Sequence, residues 1–274
     1  MNYSPYQQLF YSEINQPDEK IDLAKAALYL ALEYEPKFDP DEYLNALETM
    51  ADEVREKLPE TAYPLVIIKN INTYLYDDLG FTGNEIDYYD PRNSFLNQVI
   101  ERRTGIPITL SLVYLEIAKR INFPMVGIGM PGHFLIRPEF EEAGIYVDAF
   151  SQGEILFPQD CQERLAQIYG QAVEIQPEFL ASVSRKQFLA RMLTNLKVIY
   201  LNRNERLKAL AAIDRILLLF PDAVMERRDR GILYYQLNRW AEARQDLESY
   251  LVNYPDAEDA AIIRQLLATI SKNL

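Results

Sequence analysis

A repeated segment near the C-terminus constrains the fold of this chain more than any other feature of its 274 residues. The tetrapeptide Phe220-Pro221-Asp222-Ala223 recurs 34 residues later as Tyr254-Pro255-Asp256-Ala257. Such a fixed period is typical of arrays in which each unit buries an apolar face against its neighbour. The repeat therefore predicts an all-helical region of stacked helix pairs.

The residues between the two tetrapeptides identify the kind of repeat. A period of 34 residues is that of the tetratricopeptide repeat, a pair of helices joined by a turn. Gly231, Tyr234, Ala243 and Pro255 occupy the spacing of that motif. The small residues among them, Gly231 and Ala243, allow paired helices to approach closely, so we predict a tetratricopeptide-repeat domain here.

An earlier copy of the repeat is degenerate. It keeps Ala209 and Pro221, but its turn is two residues longer and Asn195 stands where the small glycine is expected. Two copies are fewer than a free-standing array needs. We therefore expect the repeat helices to pack against the N-terminal part of the chain or against a terminal helix within residues 258–274.

Charge divides the chain into two parts and limits its partners. The net charge is −13; residues 1–183 carry 13 Lys and Arg against 30 Asp and Glu, whereas residues 184–274 carry 15 against 11. We predict domains over these two ranges. Phosphate neutralisation requires Lys and Arg, so the acidic N-terminal domain argues against nucleic acid as a partner.

The sequence contains no metal-binding cluster, phosphate loop or dinucleotide fingerprint. We therefore predict neither a metal nor a cofactor.

Composition is ordinary for a soluble protein, with 49% hydrophobic and 25% charged residues. A single cysteine excludes an internal disulfide and suits a reducing compartment. The N-terminus lacks the pattern of a signal peptide, and no apolar stretch is long enough to span a bilayer. We therefore expect a cytoplasmic protein without membrane insertion.

Apolar periodicity and turn residues predict an α+β N-terminal domain. Helices are predicted over residues 18–34, from Pro40 toward Lys57, and over residues 64–79. Alternation predicts short antiparallel strands over residues 125–129, 133–137 and 145–148. The domain should thus be largely helical with a small sheet.

The segment from residue 101 to residue 148 carries the motif with chemical meaning. Gly105-Ile106-Pro107 precedes a predicted helix, His133 begins one predicted strand, and Asp148 ends a later one. This order resembles the core of the transglutaminase-like, papain-like thiol enzymes, in which a cysteine opens the helix and His and Asp follow on strands. In this chain Pro107 occupies the cysteine position.

That substitution preserves the helix and removes the nucleophile. A thiolate at a helix N-terminus is stabilised by the local positive potential and activated by a His–Asp pair. Proline has no such group, but it is favoured at the first position of a helix. The resemblance therefore implies a relic triad of Pro107, His133 and Asp148 without catalysis.

Three other side chains are candidate nucleophiles. Thr109 and Ser111 follow Pro107 within about one helical turn, where hydroxyls often bond the preceding carbonyls. Cys161 lies in the acidic segment Gln159-Asp160-Cys161-Gln162-Glu163, and neighbouring carboxylates raise the pKa of a thiol. All three remain open at the level of sequence.

A wider set of motifs resembles one bacterial family. Asp90-Pro91-Arg92-Asn93-Ser94, the stretch from Arg103 to Ser111, and Pro131-Gly132-His133-Phe134, followed by tetratricopeptide repeats, are similar to the invasion-regulator-B-type proteins. Arg92, Asn93 and Arg103 are either the lining of a cleft beside His133 or residues that cap helices and pair with acids.

Two functions are compatible with these observations. The first is a non-catalytic transglutaminase-like protein that binds a protein or peptide through its repeats and the relic cleft. The second is a divergent hydrolase or amide-transfer enzyme that uses His133 and Asp148 with the hydroxyl of Ser111 or Thr109, or with a water held by His133. A general base must reach the proton that it removes, so the distance from His133 to these hydroxyls discriminates between the two.

Overall fold

The computed structural model describes residues 4–140 and 144–274. The chain forms two compact units, the first ending at Leu189 and the second beginning at Ala190. The N-terminal unit combines helices with small sheets, and the C-terminal unit is helical. The predicted fold class is therefore confirmed.

Proline begins most helices of the N-terminal unit. Its φ angle is already helical and its missing N–H would have had no partner in the first turn. Five of the seven helices described here start with proline. They are α1 (Pro5–Ile14), α2 (Leu23–Leu32), α3 (Pro40–Lys57), α4 (Pro64–Asn72), α5 (Leu96–Arg102), α6 (Pro107–Arg120) and α7 (Pro158–Tyr169). A π-helical turn over Thr73–Asp78 extends α4, in line with the helix predicted over residues 64–79.

The helix predicted over residues 18–34 is shorter than its apolar pattern indicates. A 3₁₀ turn covers Asp18–Lys20, and α2 begins only after Asp22. The Asp22 carboxylate accepts the backbone N–H of Lys25 at 3.0 Å and so caps the helix. Asp18 instead accepts the backbone N–H groups of Arg185 and Lys186 at 2.9 Å each, at the start of a later helix.

A four-stranded antiparallel sheet contains Asp148 and begins its second strand two residues after His133. Its strands are β3 (Met125–Ile128), β4 (Leu135–Pro138), β5 (Tyr146–Asp148) and β6 (Glu154–Leu156), in that spatial order. The three predicted strands are present, but β4 begins at Leu135, so that His133 precedes the strand that it was predicted to begin. Strand β6 was not predicted. A separate parallel pair joins β1 (Thr82–Gly83) to β2 (Thr104–Gly105).

Helix α6 forms the centre of the N-terminal unit. Every residue from Pro107 to Ala118 is buried, including the polar side chains of Thr109, Ser111 and Glu116. The Glu116 carboxylate forms an ion pair with Arg120 one turn later. Because α6 is enclosed by helices and the sheet, its first turn is part of the core.

The C-terminal unit consists of consecutive helices that pack as pairs. They are the end of α8 (Arg185–Asn202), α9 (Arg206–Leu219), α10 (Val224–Gln236), α11 (Trp240–Asn253) and α12 (Ala260–Ile270). Ala209 and Ala243 are fully buried, Tyr234 is largely buried, and Pro221 and Pro255 lie in the turns between helices. Helix α12 lies within the range predicted for a terminal helix.

Gly231 allows α10 to approach α11. A Cβ atom at this position would lie 2.8 Å from Cδ2 of Leu247, closer than side chains normally approach. We expect Gly231→Val to lower the free energy of unfolding by about 1–3 kcal/mol through overpacking. Urea denaturation measures the change, and the exposed helix variant Ala241→Val controls for the β-branched side chain. Equal losses in the two variants would contradict the close-packing explanation.

Candidate functional site

A tight turn places His133 just before β4, one of the two inner strands of the sheet. Gly132 has φ +74° and its Cα lies against Ile168, so that a Cβ would come within 2.6 Å of the Ile168 side chain. Only glycine satisfies both conditions without strain. The backbone N–H of His133 then donates to the carbonyl of Met130 at 3.1 Å, and β4 begins two residues later.

The structure joins His133 to Asp148, as the motif predicts. The Nε2 atom of His133 lies 2.8 Å from Oδ2 of the fully buried Asp148. The same oxygen accepts hydrogen bonds from Oγ of Ser151 at 3.1 Å and from Nη1 of Arg164 at 2.9 Å. Its partner oxygen, Oδ1, accepts the backbone N–H groups of Phe150 and Ser151 at 3.0 and 3.2 Å. Asp148 thus ties together the turn before β4, the turn after β5, and α7.

The surroundings of Asp148 favour its ionised form. Burial alone raises the pKa of this carboxyl, but the hydrogen bond and charge of His133, together with the charge of Arg164, lower it below its ordinary value. A buried carboxylate with this many donors is a stable structural ion. The cluster therefore has a clear role in holding the fold.

Acid should remove the contribution of Asp148 to stability. A carboxyl whose pKa is lowered by folding stabilises the protein above its unfolded pKa of about 4, and this contribution is lost as the pH falls through the folded pKa. We expect the difference in unfolding free energy between wild type and Asp148→Asn to be largest at neutral pH and to shrink below about pH 4. Urea titrations across this pH range provide the measurement. A difference independent of pH would show that the charge of Asp148 contributes nothing.

Neither candidate hydroxyl is hydrogen-bonded to His133. Thr109 Oγ1 lies 2.6 Å from the carbonyl oxygen of Asn93 and accepts the backbone N–H of Ile106 at 3.2 Å, so it closes the first turn of α6. Ser111 Oγ is fully buried and has no hydrogen-bond partner among the described residues. Pro107 begins α6 and is itself buried. The structure brings His133 and Asp148 together without either hydroxyl.

Cys161 belongs to the core. Its side chain is fully buried in a cluster with Ile128, Met130, Leu135, Leu156 and Leu165. Burial, reinforced by the charge of Asp160, raises the pKa of the thiol to about 12. At neutral pH this group is a protonated apolar side chain and not a nucleophile.

The three residues proposed from sequence as cleft residues or caps have different surroundings. Arg92 is exposed and its Nε atom lies 2.8 Å from Oδ2 of Asp90, which caps a 3₁₀ turn. Asn93 is fully buried and hydrogen-bonds the loop before it. Arg103 ends α5 in the left-handed conformation, with φ 53°, and donates to the carbonyl of Leu79 at 2.6 Å. All three have structural hydrogen bonds.

Sequence reasoning missed two members of the Asp148 cluster, Ser151 and Arg164. Nη2 of Arg164 also lies 2.5 Å from Oε2 of Glu154, the first residue of β6. It is the only Lys or Arg between Arg137 and Arg185, so an isolated cation in an acidic stretch was the available indication. Ser151 had none, because its position depends on the turn after β5.

An aromatic side chain connects this cluster to the surface. The ring of Phe150 lies edge-on to His133, with centroids 6.3 Å apart, and to Tyr88, with centroids 6.1 Å apart. Phe150 and Ser151 also line an open depression of about 650 Å³. The other lining residues are Thr82, Gly83, Asn84, Glu85, Ile86, Thr104 and Gln152. We call this cavity the Phe150 depression.

Comparison with known proteins defines the class to which this arrangement belongs. Residues 41–194 match the transglutaminase-like superfamily, and residues 196–268 match the tetratricopeptide repeat. The chain is thus a transglutaminase-like domain followed by tetratricopeptide helices. No solved structure matches it significantly.

Its relatives identify the protein family more closely than the domain matches do. A UPF0162 protein of Xylella fastidiosa is 35% identical over 93% of this chain and 92% of its own length, and one of Pseudomonas aeruginosa is 29% identical over 91% of each. Human F-box only protein 21 is 33% identical over 64% of this chain but only 29% of its own length. The chain therefore belongs to the transglutaminase-like superfamily, among the bacterial UPF0162 proteins.

Over residues 4–140 and 144–274, no helix has both the length and the apolar character needed to cross a bilayer. In the same residues, no group of three or more His, Cys, Asp or Glu side chains is arranged to hold a metal ion.

Proposed function

We propose that this protein is a non-catalytic member of its superfamily that binds a protein or peptide partner. One observation carries the proposal: α6 begins with Pro107, and the hydroxyls of Thr109 and Ser111 are not hydrogen-bonded to His133. Nucleophilic catalysis requires an activated oxygen or sulfur within reach of the base.

The environment of Asp148 supports a structural role for the His–Asp pair. In a working triad, the carboxylate mainly orients the imidazole. Here Asp148 also receives a guanidinium and two backbone N–H groups, so most of its hydrogen-bonding capacity stabilises local structure. This is what we expect if the pair persists because the fold depends on it.

Partner binding is supported by the second domain. Tetratricopeptide repeats commonly mediate protein interactions through an extended surface of stacked helices. The charges on α10 are largely paired within the unit, for example Glu226 with Lys197 at 2.7 Å and Arg230 with Asp246 at 2.6 Å. Large apolar side chains on α8 and α10 are exposed instead, namely Val198, Leu201 and Met225. We propose that these contribute the apolar contacts to the partner.

The alternative of a hydrolase or amide-transfer enzyme has less support. The Thr109 hydroxyl is hydrogen-bonded within the first turn of α6, and Ser111 is fully buried in the core. The Cys161 thiol is buried and protonated. None of the three meets the requirement of an activated and accessible nucleophile. The His133–Asp148 pair, with Nε2 to Oδ2 at 2.8 Å, is compatible with this function but supplies no nucleophile by itself.

Activity assays test the absence of catalysis. We expect the purified full chain to show no turnover above the buffer blank with quenched-fluorescent peptides or with a fluorescent amine offered to a glutamine-containing protein. His133→Ala should give the same blank, because neither Thr109 nor Ser111 is hydrogen-bonded to the imidazole that would activate it. Turnover by wild type that His133→Ala abolishes would contradict the proposal.

Affinity capture tests the binding surface of the C-terminal unit. We expect the double variant Val198→Glu/Leu201→Glu to lose partners that wild type retains, because charges on an apolar contact surface are costly to bury. Leu207→Glu, on α9, is the matched control, since Leu207 is an exposed leucine on the second helix of the pair. Equal losses in both variants, or none in either, would contradict the proposed surface.

A further inference from the structure

The loop over residues 85–89 exposes large apolar side chains. Ile86 is 102% exposed, Tyr89 is 58% exposed and Tyr88 is 36% exposed. Single exposed apolar residues are common, but three of them within four positions form a patch. Such patches on soluble proteins typically mark interaction surfaces.

Hydrogen bonds from two asparagines hold this loop in one conformation. Asn84 Oδ1 accepts the backbone N–H of Asp87 at 2.9 Å, and Asn84 Nδ2 donates to Oδ1 of Asn93 at 3.1 Å. The fully buried Asn93 donates to the carbonyls of Asp87 and Tyr88 at 2.8 and 3.2 Å. A loop fixed in this way loses little entropy when a partner binds.

The loop carries two exposed carboxylates, and the charge of Asp87 also acts on the nearby Arg92. Glu85 and Asp87 are exposed, and neither forms a salt bridge with any residue in the described ranges. The nearby cation Arg92 is held by Asp90, with Nη2 to Oδ2 at 2.7 Å. Glu85 is also the only charged residue lining the Phe150 depression within the described part of the chain. The patch therefore combines apolar side chains with exposed carboxylates that form no salt bridge within the described ranges.

We propose that the 85–89 loop and the Phe150 depression form the docking site for a basic, partly apolar segment of a partner protein. This inference rests on the proposed binding function and names the chemistry of the partner. A Lys or Arg of the segment binds between the carboxylates of Glu85 and Asp87 and the faces of the tyrosine rings. An apolar side chain of the segment covers Ile86.

Charge complementarity selects this occupant. The first 189 residues carry 15 Lys and Arg against 30 Asp and Glu, so long-range attraction also favours a basic partner. The same charge repels nucleic acid and anionic lipid. A second copy of this chain is a different occupant and is an outcome of the test below.

A positional-scanning library of short peptides provides the probe. Each position is fixed in turn as a basic, acidic, apolar or polar residue, and binding to the full-length protein is measured by fluorescence polarisation. We expect selection of Lys or Arg flanked by apolar residues, and an affinity that falls as ionic strength rises. Selection of acidic or uncharged peptides, or no selection above a scrambled pool, would overturn the inference.

Two variants locate the site. We expect Glu85→Lys/Asp87→Lys to raise the Kd of the selected basic peptide about tenfold, because two attractions become repulsions. Ile86→Ser should raise the Kd several-fold at both low and high ionic strength, because its contribution is apolar. The control Asp222→Lys/Asp256→Lys makes the same charge change at exposed sites of the C-terminal unit and should leave the Kd within about twofold.

The outcomes separate this inference from the proposed function. Basic peptides that bind equally to wild type and Glu85→Lys/Asp87→Lys would overturn the site while the binding function stands. Turnover of the peptides that depends on His133 would overturn the proposed function, whereas the mapped site would stand. Concentration-dependent self-association of wild type that Ile86→Ser abolishes would identify a second copy as the occupant and overturn the basic partner.

Discussion

Replacing Asp148 with alanine is expected to lower the free energy of unfolding by about 3–5 kcal/mol, a large part of the stability of a typical domain. The variant removes the acceptor for His133, Ser151, Arg164 and two backbone N–H groups. Arg164 would keep a largely buried positive charge with only Glu154 and the Ser151 hydroxyl beside it. Breaking a buried pair by deleting one partner is costly because the other charge stays desolvated.

Equilibrium urea unfolding of the full chain, followed by circular dichroism, measures this loss. Asp77→Ala is the matched control, since Asp77 is an exposed aspartate of the same unit and forms no salt bridge within the described ranges. It should change the unfolding free energy by less than about 0.5 kcal/mol. A loss below about 1 kcal/mol for Asp148→Ala would mean that water or other groups replace the carboxylate easily, and would refute its role as a structural centre.

The size of this expected effect bears on why a His–Asp pair would persist in the non-catalytic protein that we propose. If the carboxylate served only to orient an imidazole, its loss would affect chemistry more than folding. In this chain, Asp148 connects a strand end, two turns and α7, and most of its bonds do not involve His133. Selection for the fold alone is therefore sufficient to keep it.

The pairing of His133 with Asp148 could be predicted from the sequence, whereas the rest of the cluster could not. The pair lies on predicted strands, and its spacing matches a known arrangement. Arg164 reaches Asp148 from α7, sixteen residues later, and nothing in a helical pattern tells which of several acids a long side chain will contact. Ser151 depends on a turn closed by Gly153, which has φ +73°.

Local rules explain which elements were predictable. Proline at the first position located α3 and α6 correctly, because that preference is intrinsic to the residue. Strand β6, with the sequence Glu154-Ile155-Leu156, was not recognised because its residues do not alternate between apolar and polar. The start of α2 was placed too early because Asp18 caps α8, a contact across more than 160 residues that sequence periodicity does not contain.

The role of Asn93, beside the candidate docking site, also could not be assigned from the sequence. From sequence it was a candidate for a cleft or for a cap, since the two roles use the same residue type. Asn93 is buried and forms four side-chain hydrogen bonds, to Asn84, Asp87, Tyr88 and Arg102. It therefore holds the 85–89 loop from the protein interior. The apolar patch on that loop depends on a residue that no partner could touch.

Asn93→Ala should therefore lower the free energy of unfolding by about 2–4 kcal/mol, because it leaves the backbone carbonyls of Asp87 and Tyr88 and the side-chain amide of Asn84 without their hydrogen-bond partner. It should also speed hydrogen exchange of the backbone amides in residues 84–90 more than elsewhere, as measured by mass spectrometry on the native protein. Asn70→Ala is the matched control, because Asn70 donates to the carbonyl of Val66 within the exposed turn of α4. Uniform exchange in the Asn93 variant, with no local increase at the loop, would show that the loop is held by other contacts and that its preorganisation does not depend on Asn93.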